Sequence, residues 1–168
     1  MKRTNLLIIL LLVLLVFAAF VGYILANNKS EQTTNTNQQT NQSVPSRGAS
    51  LDMSGKQLTT LPESVTSRTE ITSLNLSNNQ LTSLDGIEKL TNLETLNVEN
   101  NRLESLPMSI SQLIKLKNAD FSNNRLTSLP TELGSLTQLQ VLNLNSYKGE
   151  MSDLDALQTK LPNTEIKR

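Results

Sequence analysis

The sequence predicts an α/β fold: a right-handed solenoid of short turns with a parallel β-sheet on its concave face, preceded by one transmembrane helix and a disordered linker. Three observations lead there. Residues 6–26 are apolar and uncharged. Residues 27–48 are dominated by Asn, Gln, Thr and Ser. From Leu51 onward, leucines and an asparagine return at intervals of 22 and 23 residues.

Composition narrows the function before any motif is read. Lys and Arg together number 15, and so do Asp and Glu, so net charge gives no hint of a nucleic-acid partner. The chain has no Cys and no His, which removes thiolate nucleophiles, imidazole bases, disulfides and the usual zinc ligands. No catalytic residue, metal or cofactor is therefore expected. Trp is absent, and Phe17, Phe20 and Tyr23 lie in the N-terminal segment, leaving Phe121 and Tyr147 for the rest.

The elements follow in chain order. Residues 1–5 carry Lys2 and Arg3 and are expected to stay cytoplasmic, because short basic flanks are retained on that side. Leu6 to Ala26 is long enough, at about 1.5 Å per residue, to cross a hydrocarbon core of roughly 30 Å. The competing interpretation is a cleaved secretory signal. Its apolar region would be about 7–15 residues long and end in a small-x-small site, whereas Ile24-Leu25-Ala26 puts a bulky residue at the first of those positions. An uncleaved signal anchor is expected, with a secreted form after cleavage near Ala26 as the alternative. The remainder then lies outside the cytoplasm. Residues 27–48 have no apolar period to bury and read as a solvated spacer.

The domain at 49–168 is periodic. Ile71-Thr-Ser-Leu74-Asn-Leu76-Ser-Asn-Asn79-Gln-Leu81 is followed in register by Leu93 to Leu103 and by Leu116 to Leu126. Stepping back from Leu74 finds Leu51, Met53, Leu58 and Leu61; stepping forward from Ala119 finds Leu139, Leu142 and Leu144. Three full repeats are thus flanked by two degraded ones. Within L-x-L, alternate residues turn inward as a strand requires, and the later Ile87, Leu90, Ile110, Leu113, Leu133 and Leu136 pack from the convex side. Asn79, Asn101 and Asn124 are expected to point inward and bond backbone groups where each turn bends, forming a structural ladder. From about residue 150 the pattern ends in a cap. Ser152-Asp-Leu-Asp155 reads as a capping box opening a short helix, with Leu154, Leu157 and Leu161 covering the last layer and Thr164-Glu-Ile166 forming an edge strand.

These residues resemble the leucine-rich-repeat family. Leu106-Pro107-Met-Ser-Ile110 and Leu129-Pro130-Thr-Glu-Leu133 are similar to its 23-residue subclass, and Leu84-Asp-Gly-Ile87 to its 22-residue subclass. The resemblance implies a protein-interaction module that grips its partner with the concave sheet, and it transfers no catalytic residues. Without disulfide-bonded caps the chain resembles bacterial cell-envelope members more than animal or plant ones.

The register nominates a binding face: Asp52, Asn75, Asn97, Asp120 and Asn143 in a central column, with Glu99 and Asn145 beside it in a column that also holds Ser54, Ser77 and Ser122. It is small, polar and mildly acidic, and lacks the aromatic and Arg anchors that dominate many interfaces. The expected partner is a protein of unspecified identity. The alternative is a structural or adhesive envelope component binding glycan or wall polymer.

Overall fold

In the computed structural model, which describes residues 48–168, every L-x-L segment becomes a short strand of one parallel sheet. The transmembrane helix expected at 6–26 and nearly all of the linker expected at 27–48 lie outside the described residues. Among the described residues no helix is long and apolar enough to cross a membrane.

The strands are β1 (Ala49–Asp52), β2 (Ile71–Asn75), β3 (Thr95–Asn97), β4 (Asn118–Asp120), β5 (Val141–Asn143) and β6 (Glu165–Lys167), paired in chain order. Leu51, Leu74, Leu96, Ala119, Leu142 and Ile166 stand opposite one another across the six strands. This register puts one residue of each turn into a common apolar row, and a slip by one would turn that row to solvent.

The return path of each turn is set by local chemistry. Pro62, Pro107 and Pro130 precede a short α-helix α1 (Glu63–Thr66) and two 3₁₀ segments (Met108–Gln112, Thr131–Ser135). Each proline holds φ at −68°, and its carbonyl accepts the N–H three residues on, from Val65, Ile110 and Leu133. The turn without proline uses Gly86 at φ +89° ahead of the 3₁₀ segment Ile87–Lys89, a backbone state that glycine adopts without a Cβ penalty.

The core lies between the sheet and these convex segments. Leu74, Leu76, Leu81, Leu84, Ile87, Leu90, Ile110 and Leu113 are at most 1% exposed. Burying each contributes roughly 1.5–3 kcal/mol, and only because neighbouring turns cover it. The fourth turn departs from the leucine pattern with Ala119 in β4 and Phe121 just beyond it, both buried. The small and large residues both enter the core, so volume lost at one site is regained at the next.

The C-terminal end is closed by α2 (Met151–Lys160), whose Leu154 and Leu157, with Leu161 just beyond, are buried. The capping box expected at Ser152-Asp-Leu-Asp155 does not form. The helix opens two residues earlier, its N-cap is Glu150 in an extended conformation, and no side chain caps it. Asp153 instead accepts the hydroxyl proton of Tyr147 at 2.5 Å, which ties the helix's first turn to the last repeat.

Candidate interaction surface

Three columns of short polar side chains run across the turns, each with a different task. The innermost is the asparagine ladder. Asn79 Oδ1 accepts the N–H groups of Lys56 and Leu58 at 2.9 and 3.0 Å, while its Nδ2 donates to Met53 O and Leu76 O. Asn101 repeats this with Leu81 N–H, Leu76 O and Val98 O, and Asn124 with Leu103 N–H, Val98 O and Phe121 O, all between 2.9 and 3.0 Å. These side chains are buried, with their polar atoms spent on the corners between turns. They have nothing left to offer a ligand.

The second column is the central one on the concave face. Oδ1 of Asp52, Asn75, Asn97, Asp120 and Asn143 accepts the backbone N–H two residues on, from Ser54, Ser77, Glu99, Ser122 and Asn145, at 2.9–3.1 Å. Each is an Asx turn that bends the chain out of its strand. The column is therefore half committed: one oxygen of each residue holds the bend, and Asn97, Asp120 and Asn143 also line a shallow concavity. Asn143 Nδ2 donates to Asp120 Oδ2 at 2.9 Å, joining two turns. The Ser54 N–H and hydroxyl, assisted by nearby Lys56 and opposed by slight desolvation, hold the Asp52 carboxyl below the usual carboxylate range.

A third column lies outside the face nominated from the sequence register. Gly55, Asn78, Asn100, Asn123 and Ser146 all have left-handed backbones, with φ of 64°, 57°, 55°, 55° and 74°. Asparagine is the side chain that tolerates this region best after glycine. The exposed amides link laterally, from Asn100 Nδ2 to Asn78 Oδ1 and from Ser146 Oγ to Asn123 Oδ1, both at 3.1 Å. Glu99 Oε1 accepts a longer bond, 3.4 Å, from each of Asn100 and Asn123. The repeated Asn-Asn pair carries the signal: its second member goes inward and its first takes the positive φ.

Two sequence-placed residues shift role. Ser77 and Ser122, expected to line the outward column with Glu99 and Asn145, are 6% and 3% exposed. Each strand ends at its Asx residue, so the alternation that would turn them outward no longer applies. Glu99 and Asn145 remain accessible.

Thr95, Asn97, Asn118, Asp120, Val141, Asn143 and Lys167 line a shallow concavity of 220 Å³ over β3–β6. Its lining draws Asn97, Asp120 and Lys167 from β3, β4 and β6. It is open and carries no aromatic ring. Among the described residues, no group of three or more His, Cys, Asp or Glu side chains is placed to hold a metal.

Comparison with known proteins agrees with this architecture. Residues 69–111 match the family described as leucine rich repeats in two copies, and residues 115–136 match the single leucine rich repeat. The chain belongs to the leucine-rich-repeat family, whose domains typically serve as non-catalytic protein-interaction modules. Among solved structures it is similar to a leucine-rich-repeat protein of Leptospira interrogans, at 41% identity and a TM-score of 0.64 over 67% of this chain and 29% of that one. An internalin of Listeria monocytogenes shares the fold at 22% identity and a TM-score of 0.53, over 61% of this chain and 29% of that one. The chain thus spans less than a third of the length of either. Among curated proteins, nothing matches.

Proposed function

We propose that this protein is a membrane-anchored interaction module that presents its concave face outside the cytoplasm to a protein partner bearing basic side chains. The observation that carries the binding part is the composition of the concavity. Asp120, and Glu99 beside it, supply carboxylates amid amides, against the one lining cation Lys167 on edge strand β6, and no aromatic anchor competes with them. Such a face attracts cationic groups and reads them by hydrogen bonds, with affinity drawn from breadth more than from one deep contact. The anchoring part rests on the uncharged Leu6–Ala26 run behind Lys2 and Arg3, and on the polar spacer that follows.

Two measurements on intact cells test it. A C-terminal tag on the full chain should be digested by added protease while the full-mass species stays with the membrane. A protected tag would reverse the topology, and a soluble product shorter by about 26 residues would make the protein secreted. Surface crosslinking should then capture a partner that is lost when Glu99 and Asp120 are both changed to Lys. Undiminished capture by that variant would remove the concave face from the proposal.

A further inference from the structure

The two ends of the sheet are finished differently. At the C-terminal end α2 covers the last apolar layer, and edge strand β6 carries charge on both sides of Ile166, with Lys167 paired to Glu165 and Arg168 to Asp155. Edge charge of this kind discourages further pairing. The N-terminal end has no covering helix among the described residues, and its edge strand β1 carries one charge, Asp52. Leu51, Met53, Leu58 and Leu61 are partly exposed, although Leu74, Leu76, Leu81 and Leu84, their counterparts one turn on, are at most 1% exposed. Met53 N–H donates to Asn75 O of β2. By the alternation of a parallel ladder, Leu51 turns its backbone groups the same way, and Ser50 and Asp52 direct theirs outward. The edge of β1 is thus four residues long, free of Lys and Pro, and backed by a half-covered apolar layer.

We propose that this end is the interface for a second copy of the chain, the two β1 strands pairing antiparallel about a twofold axis at Leu51. In this register Ser50 stands opposite Asp52 of the second copy and Asp52 opposite its Ser50. All outward N–H and C=O groups of Ser50 and Asp52 are then used, and neither carboxylate faces the other. The twofold also sets Leu51 against Leu51 and brings the two half-covered layers together, so one patch completes itself. The sequence just before β1 has little apolar surface to match this patch: between Asn27 and Arg47 the one aliphatic residue is Val44, followed by Pro45. The result is a continuous concave sheet, and it stands whether or not the face binds the partner proposed above.

The test uses the full chain solubilised in detergent. Light scattering should give a dimer that dissociates on dilution. Ser50→Pro removes only an outward N–H, a substitution that edge strands accept, and should leave a monomer whose unfolding midpoint matches that of the unsubstituted chain diluted to monomer. The chain has no cysteine, so disulfides report the register directly. A mixture of Ser50→Cys and Asp52→Cys chains should crosslink on oxidation at least about tenfold more than either alone. Residues facing one another in such a pair have Cα atoms about 5.5 Å apart, whereas like positions lie diagonally at about 7–8 Å, beyond easy bridging. A full chain that is monomeric at every concentration overturns the proposal. So does a Ser50→Pro dimer, which would place self-association elsewhere, or equal crosslinking in all three samples. Should Ser50→Pro fail to fold, the crosslinking ratio still decides.

Discussion

Asn101 accepts the N–H of Leu81 at 2.9 Å from a position twenty residues further along the chain, and the same amide donates to Leu76 O at 3.0 Å. One side chain thus satisfies the corner of the preceding turn. Asn101→Leu would strand a buried donor and leave carbonyls unbonded, at about 1–3 kcal/mol for each group. Urea unfolding of the full chain should show a loss of roughly 2–5 kcal/mol on that basis. A loss under about 1 kcal/mol would mean that water replaces the amide at no cost.

Asp120 separates folding from charge. Asn75, Asn97 and Asn143 make the same bend with a neutral amide, so Asp120→Asn should keep the bond to Ser122 N–H, lose only the acceptor for Asn143 Nδ2, and cost about 0.5–1 kcal/mol. Asp120→Ala loses the bend's acceptor as well and should cost about 1–2 kcal/mol. Binding to a basic partner should fall in both variants. Equal stability of the two would show that the Asx bond contributes nothing.

Left-handed Asn100 gives a test whose outcome depends on side-chain shape. At φ 55°, Asn100→Gly should be close to neutral, whereas Asn100→Val forces a β-branched residue into that region and should cost about 1–2 kcal/mol. Thermal unfolding of the two variants side by side checks the ordering.

Gly149 is needed for space and not for backbone freedom. A Cβ there would sit inside contact distance of the Thr127 carbonyl and the Tyr147 ring oxygen. At Gly134 the obstructing atoms belong to the Lys160 side chain, which can swing away. Gly149→Ala should therefore lower the melting temperature by several times the shift of Gly134→Ala. A larger effect at Gly134 would mean that the Lys160 stem is held there, where its ammonium reaches Thr131 O.

The Tyr147–Asp153 bond predicts a pH dependence. Desolvation, the hydrogen bond to Asp153, and the charges of Asp153 and Glu150 raise the phenol above its ordinary range. The folded state then holds the proton more tightly than the unfolded one. Its contribution is intact below about pH 10 and declines as pH rises beyond that. Tyr147→Phe should flatten the alkaline limb of a stability–pH profile. An unchanged limb would mean that other groups produce it.

The repeat itself was legible because Leu74-x-Leu76 and its copies show alternation and period together, and the convex Ile87, Ile110 and Leu133 hold their offsets from it. What escaped depends on where strands stop. The bends after Asn75 and Asp120 make apparently solvated side chains into backbone acceptors and bury Ser77 and Ser122, and alternation says nothing about a bend. The left-handed column was within reach, since Gly55 occupies the register position of Asn78, Asn100 and Asn123. The helix start was misplaced because Ser152 and Asp155 fit a capping spacing that Glu150 pre-empts by its extended backbone. Asp153, next to Ser152, was already engaged by Tyr147, a contact that no local motif encodes.

The ladder bonds of Asn79, Asn101 and Asn124 reach their own turn and the one before it, and no further. A turn inserted between two others meets the same corners that it presents. Tandem duplication of one 22- or 23-residue unit would therefore extend this domain without rewriting either terminus, making copy number an inexpensive variable for evolution. A lineage starting from this short form gains reach one turn at a time, each step foldable on arrival.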